Sequence, residues 1–397
     1  MRWLRSWLPW LAAMAGCAVA LAADDFWELP IAPQGEPPAE AVELTKDLSA
    51  QTCGLCHPRQ FRQWRQSLHA AAVGPGLLGQ LATFDREAAA ACLACHAPRA
   101  EQQAAILAGP SSAPAGGGVD CAACHVRAHR RYGPRDKPVT PHGAVAAMPL
   151  FGDSAFCAPC HQFADGAGEV GGAPLQDTNR EWAASRYAAT AVTCQRCHMP
   201  QGSHRFAGIH DPATTRRALA VSVKRDESGV VLTARNAGAG HALPTYATPR
   251  IRLSLRAAGN RAAAVDHEIG RRLAWDPDAG LTQRADTRLL PGEQVELRLG
   301  LGRDEAARAE VRVEPGAFYA EVVYPTMLAG LDIAAHAGAS RLLERARRRA
   351  AGSVYLLYRA ACPRWSGATT DCELKPPPGP PATGDGRGRP TMGAGPG

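Results

Sequence analysis

Cys121-Ala122-Ala123-Cys124-His125 is one of five copies of a single pattern. The others are Cys53-Gly54-Leu55-Cys56-His57, Cys92-Leu93-Ala94-Cys95-His96, Cys157-Ala158-Pro159-Cys160-His161 and Cys194-Gln195-Arg196-Cys197-His198. Two thiols separated by two residues reach the two vinyl groups of one porphyrin, and the histidine directly after them supplies an axial nitrogen to the iron. Zinc ribbons use paired CxxC without an obligatory trailing histidine, and a redox CxxC stands singly near a βαβ pattern. Neither puts five histidines at an identical offset. The motifs therefore read as attachment sites for five covalently bound haem c groups.

The motifs start at 53, 92, 121, 157 and 194, about one haem per thirty-odd residues. That is too little chain to build a conventional core. The porphyrins are expected to be the core, wrapped by short helices and loops, and this half should not fold without them. Gly- and Pro-rich pieces at Gly109–Gly118 and Gly166–Pro174 mark loops between haem-bearing units. From about Pro212 the texture changes. Leu219, Val221 and Val223 alternate with polar neighbours, as do Ile251, Leu253 and Leu255, then Val295, Leu297, Leu299 and Leu301, then Val311 and Val313. Period-two alternation with turns between the runs predicts antiparallel strands packed as a β-sandwich. A helix is expected from about Ser340 to Ala350, where arginines near its end suit the dipole, and a further strand at Ser353–Tyr358. The fold class is α+β and multidomain: an extended lead-in at 24–47, a mostly helical and loop haem-cored domain at 48–211, and an antiparallel β-sandwich with a C-terminal helix at 212–360. A Pro/Gly-rich tail follows at 361–397.

Residues 1–23 read as an export signal, with Arg2 and Arg5 before an apolar run and Ala20-Leu21-Ala22 as a small-residue cleavage site. The rival reading, lipidation at Cys17, is weaker because Met14 stands where leucine is usual and apolar residues continue past the cysteine. Export places the chain in the periplasm or at the cell surface, with membrane contact only if Cys17 is lipidated. Of thirteen cysteines, ten lie in the motifs and one in the leader, leaving Cys362 and Cys372 to close a small disulfide loop. The formal charge is +7. Between Gln51 and His210 fourteen Lys/Arg face ten Asp/Glu, and ten haem propionates would use much of that excess as ion-pair partners. The basic balance therefore does not argue for nucleic acid.

Trp64-Arg65-Gln66-Ser67-Leu68-His69-Ala70, just after the first motif, is echoed by Trp182-Ala183-Ala184-Ser185-Arg186-Tyr187-Ala188 just before the fifth. Trp, Ser and Ala are shared, and His69 becomes Tyr187. Three roles stand open for Tyr187: a weak ligand, a hydrogen-bond donor over an open iron, or packing. The segments Cys53–Ala70 and Glu181–Pro200 resemble the cytochrome c-554-type multihaem cytochromes, over roughly Thr52 to Asp211. The run Asn236-Ala237-Gly238-Ala239-Gly240-His241-Ala242-Leu243-Pro244-Thr245 looks like part of the β-module often appended to such cytochromes. The resemblance implies closely stacked haems, mostly with two histidine ligands, and periplasmic electron transfer. It also includes members with a five-coordinate haem. The fifth motif departs from the tetrahaem pattern, so ligands do not carry over haem by haem.

Beyond the proximal His57, His96, His125, His161 and His198, eight histidines remain. His69 is the first candidate for a second axial ligand, through the matching family motif. His129 and His142 flank a basic loop after the third motif, and His204 and His210 follow the fifth. His241, in a Gly-rich turn, either reaches across to a haem or stabilises the turn. His267 and His336 are read as structural, and Met148 and Met199 as weaker thioether candidates.

The leading functional reading is an electron carrier that hops electrons between stacked haems. Its partners would be redox proteins, either other cytochromes or a quinol-linked membrane complex, and self-association through the sandwich is a third role to test. The alternative is a redox enzyme acting on a small nitrogen or sulfur species at one open haem. No nucleotide site, serine triad or nucleic-acid reader is evident.

Overall fold

The computed structural model describes residues 26–109, 117–166, 168–258, 263–276, 279–332 and 336–377. The expected leader with Cys17, much of the Gly109–Gly118 loop and the tail past 377 lie outside the described residues.

In the first half, short helices start at local stop-and-cap signals and carry the motifs. α1 (Ala50–Cys56) begins where the Ser49 hydroxyl accepts from the Thr52 amide at 3.2 Å. α2 (Pro58–Arg65) opens on a proline whose missing N–H is not needed at a first helical position. α3 (Pro75–Leu81) leads to α4 (Arg86–His96), capped by Asp85, and to α5 (Ala100–Leu107). The third motif is itself a helix, α6 (Cys121–His125), capped by Asp120. Strands β1 (Val126–Arg127), β2 (Arg130–Gly133) and β3 (Val145–Ala147) follow as a small sheet. Then come α7 (Ala158–His161), the hairpin of β4 (Glu169–Val170) and β5 (Ala173–Pro174), α8 (Thr178–Ala183), α9 (Arg186–Ala189) and α10 (Cys194–His198). Buried apolar clusters here are small, centred on Phe26, Tyr132 and Met148 and on Leu93, Ala97 and Ile106. Met148 thus packs among aromatic rings.

α11 (Pro212–Ala218) leads into the β region. Its strands are β6 (Leu219–Asp226), β7 (Gly229–Asn236), β8 (Arg250–Ala257), β9 (Ala264–Ile269), β10 (Arg271–Asp276), β11 (Gly280–Asp286), β12 (Gln294–Gly300) and β13 (Ala307–Glu314). A π-helical turn at Tyr319–Val323 runs into α12 (Tyr324–Gly330) and α13 (Ala337–Ala351), followed by β14 (Tyr355–Cys362), β15 (Thr370–Asp371) and β16 (Leu374–Lys375). One sheet has the order β12-β7-β6-β15 and another β16-β14-β13-β8-β9, with every pairing antiparallel. Leu219, Val223, Val230 and Leu232 from the first sheet share one buried cluster with Ile251, Leu253, Leu255, Val311 and Leu357 from the second. The apolar alternation therefore marks the inner faces. Cys362 and Cys372 form a disulfide. Among the described residues no helix is long and apolar enough to cross a membrane.

The β10–β11 hairpin lies outside that alternation, and its role is to tie the two halves together. Arg271 is 4% exposed, and its guanidinium donates to the carbonyls of Val170 and Pro174 on the β4–β5 hairpin. Leu273 packs there with Val170 and Ala247. A second tie is the ion pair of Glu181 on α8 with Arg288, which are 9% and 10% exposed at 2.9 Å.

Candidate haem sites

All ten motif cysteines are free thiols. They cluster between motifs: Cys53 lies beside Cys121, Cys95 beside Cys160, and Cys157 beside Cys194. The first motif thus packs on the third, the second on the fourth and the fourth on the fifth. The fourth is a junction, since Cys124 of the third also lies within electrostatic reach of Cys157 and Cys160.

The proximal rings are oriented from behind. Nδ1 of His96 lies 3.0 Å from the Ala72 carbonyl, that of His125 2.9 Å from Tyr132, and that of His198 2.7 Å from Ala207. His161 Nδ1 is 3.0 Å from the Gln176 amide. Donation of Nδ1–H to a backbone carbonyl, as at His96, His125 and His198, is the arrangement of a metal-ligating histidine and leaves Nε2 free, whereas the Gln176 nitrogen can only donate to His161.

Four of these rings face a second imidazole. His57 and His142 have ring centres 6.2 Å apart, His161 and His69 6.1 Å, His125 and His204 6.3 Å, and His198 and His241 6.2 Å. A metal held by two imidazoles at about 2.0 Å each, with each nitrogen roughly 1.1 Å from its ring centre, sets the centres about 6.2 Å apart. Burial pushes the pKa of His69 down to about 3 and those of His161 and His241 to about 4, so these rings are neutral, as ligands must be. Among the described residues no three His, Cys, Asp or Glu side chains converge on a point that would hold a bare ion. Paired imidazoles beside paired thiols fit a planar haem and do not fit a tetrahedral zinc.

The other two candidate histidines are placed differently. His129 is buried with Nε2 3.1 Å from the Gly35 carbonyl. It shares with Ala128 the tight turn between β1 and β2, both at positive φ, so its ring is directed to the lead-in segment. His210 lies beside Arg349. Neither is brought opposite a proximal ring, although both stand as near to motifs in the sequence as His142 and His204 do.

Among the described residues, no histidine ring pairs with His96. Two tyrosines that sequence reasoning passed over, Tyr246 and Tyr319, lie together within electrostatic reach of Cys92 of the same motif. The phenol of Tyr246 is raised well above its usual range, first by the adjacent Tyr319 and then by burial. Isolated tyrosines some seventy residues apart leave no motif to read.

The Trp-Ser echo has a structural counterpart. Trp64 Nε1 donates to the Val119 carbonyl at 2.8 Å and Trp182 Nε1 to the Val192 carbonyl at 3.0 Å. Ser67 and Ser185 each donate 2.7 Å back to their tryptophan's carbonyl. The copies diverge at the substituted position: His69 faces His161, whereas the Tyr187 hydroxyl donates to the Ala237 carbonyl at 3.3 Å. A Cβ at Gly240 would stand 3.0 Å from the Tyr187 ring and 3.2 Å from Trp182, so this glycine lets the second copy pack against the loop that carries His241. Of the three roles open to Tyr187, packing is the one its surroundings support.

Residues 52–126 match the family described as cytochrome c554 and c-prime. No protein of curated function matches the chain. A penta-heme cytochrome c552 from Thermochromatium tepidum, known from its crystal structure, is similar in fold with a TM-score of 0.59 and 20% identity. The match covers 81% of this chain and 99% of that one. The five attachment motifs, the imidazoles paired at haem-iron spacing, the family match over residues 52–126 and the likeness of fold together support a multihaem c-type cytochrome.

Proposed function

We propose that this is an exported pentahaem electron carrier in which four haems are bis-histidine: His57 with His142, His125 with His204, His161 with His69 and His198 with His241. The four ring separations near 6.2 Å carry this reading. Bound haem supplies one-electron chemistry, and the protein tunes it by axial ligand, burial and nearby charge. The thiol contacts give an order of attachment sites: first, third, fourth and fifth in a line, with the second joined at the fourth. Arg59, Arg62 and Arg205 line a hollow of about 200 Å³ with Gln63 and Gln66 next to the first motif, and they suit haem propionates. The haem-cored first half and the two-sheet β-sandwich act together, because His241 comes from the second.

A second reading is favoured by one observation: His96 has no partner histidine among the described residues. In that reading its haem is open beside Tyr246 and Tyr319 and acts on a small nitrogen or sulfur species. Low-temperature EPR of the oxidised protein and CO binding to the reduced protein separate the two. Low-spin signals alone with no CO adduct support a sealed carrier. A high-spin signal with about one CO per chain supports one open haem, and a shift of its CO stretching band on Tyr246→Phe or Tyr319→Phe would assign it to the His96 motif.

A further inference from the structure

His241 is held by a relay that starts on the haem-bearing half. Its Nδ1 lies 2.9 Å from the Ala242 carbonyl, which makes Nδ1 the protonated nitrogen and leaves Nε2 free toward His198. The Ala242 amide donates at 2.9 Å to Oε2 of Glu181 on α8, and the same oxygen accepts from the Thr245 hydroxyl at 2.9 Å. Oε1 of Glu181 accepts from Arg288 at 2.9 Å, and Arg288 is steadied by Asp286 at 2.8 Å. From the other side, Leu243 exchanges backbone hydrogen bonds with Leu289 at 2.9 and 3.1 Å.

We propose that Glu181 is a positioning residue for the axial site at His198: by gripping Ala242 and Thr245 it fixes the tautomer and heading of His241. This rests on the reading of His198 and His241 as an axial pair. A carboxylate one peptide removed from an imidazole ligand acts as outer-shell partners do, holding the ring against its rotational freedom. Glu181 thereby makes docking of the β region a condition for sealing that haem.

The test uses full-length holoprotein with covalent haem, comparing wild type, His241→Ala, Glu181→Ala and Arg288→Leu. The readouts are CO equivalents bound by the reduced form, high-spin EPR signal and thermal unfolding. His241→Ala should add about one CO-binding haem per chain, and Glu181→Ala, which leaves no acceptor for Ala242 or Thr245, should add a substantial fraction of the same haem, given the roughly 10–100-fold loss of hold when an outer-shell partner is removed. Arg288→Leu breaks the ion pair and the 3.4 Å bond from Arg288 to the Thr245 carbonyl but leaves both Glu181 grips, so it should lower thermal stability and leave CO binding at the wild-type level. Should Glu181→Ala prove too unstable to mature, Thr245→Val removes one of the two grips and should give the smaller gain in CO binding. If His241→Ala gains no CO, the axial-pair reading fails and this proposal with it. If His241→Ala gains CO and Glu181→Ala does not, the pair stands and the role of Glu181 is refuted. Equal CO gains in Arg288→Leu and Glu181→Ala would also refute it, since domain docking in general would then suffice.

Discussion

Asp120 sets the third attachment helix, and replacing it tests how that helix is held. Its carboxylate is 6% exposed. One oxygen accepts from the Ala123 amide at 2.9 Å, capping α6, while the other accepts from Arg99 at 2.8 Å and Gln102 at 3.2 Å. Asp120→Ala removes the cap, at about 1 kcal/mol, and leaves the Arg99 guanidinium, 14% exposed, without its counter-charge, at about 3–5 kcal/mol. The expected loss is about 4–6 kcal/mol. Asparagine keeps the cap through Oδ1 but turns its Nδ2, a donor, on Arg99 and Gln102, so Asp120→Asn is spared only the cap and still loses the acceptor of Arg99, about 3–5 kcal/mol. Burial pushes the Asp120 carboxyl up against the pull of Arg99 and the α6 amides. A carboxyl with a raised folded pKa contributes stability below the ordinary carboxylate range and loses it as pH climbs through the folded value. The advantage of wild type over Asp120→Asn should therefore be greatest at acid pH and shrink on raising pH. Denaturant unfolding of the holoprotein, followed at the haem absorption band, gives both numbers. Equal losses for Ala and Asn, or losses below about 0.5 kcal/mol for both, would refute the reasoning.

Two further outcomes follow from local geometry. Replacing Cys362 and Cys372 with serine opens a loop of sequence separation 10, for which loop-closure entropy gives a loss of about 2.7 kcal/mol; far-UV circular dichroism during thermal unfolding measures it, and no loss would show that the link does not constrain the unfolded chain. Tyr187→Phe removes the 3.3 Å hydrogen bond to Ala237 and an exposed one of 3.1 Å from Arg186 and should cost about 1 kcal/mol with CO binding unchanged. A newly CO-reactive haem in that variant would show that Tyr187 guards an iron after all.

What was legible in the sequence was what is local in the chain. Attachment needs two thiols and a histidine on one helical turn, so the five motifs announce themselves. The inner faces of β6, β8 and β12 were legible for a similar reason, since a strand alternates its side chains residue by residue. The pairing of imidazoles was not, because it depends on segments that meet only in space. His69 follows the first motif but faces His161 of the fourth, and His142 belongs to the loop after the third motif but faces His57 of the first. Within one loop, the choice between His129 and His142 rests on a turn with two positive φ angles that no residue type there demands. The β10–β11 hairpin escaped because Arg271-Arg272-Leu273-Ala274-Trp275-Asp276 has little apolar alternation, its main buried group being a guanidinium that bonds another segment's carbonyls.

The two halves are stabilised by different means, and this bears on how the His198 site is completed. The β region has a continuous apolar core running from Leu219 to Leu357, linked by antiparallel ladders and a disulfide. The first half has clusters of three buried apolar residues each, far short of what would offset the entropy of ordering its chain. On the proposed ligand assignment its remaining apolar surface is supplied by the porphyrins, so the segments bearing His57, His69, His125, His142, His161 and His204 would gain their order together with the haem they surround. His241 differs. It stands on a loop between β7 and β8 whose backbone is already fixed to Leu289 and to the Asn236 side chain, which donates 2.9 Å to the His241 carbonyl. Its ring is presented by a scaffold with its own core, and Glu181 and Arg271 then tie that scaffold to the haem-bearing half. Three of the four imidazole pairs thus join segments that depend on haem for their order, while the fourth joins such a segment to a preformed edge.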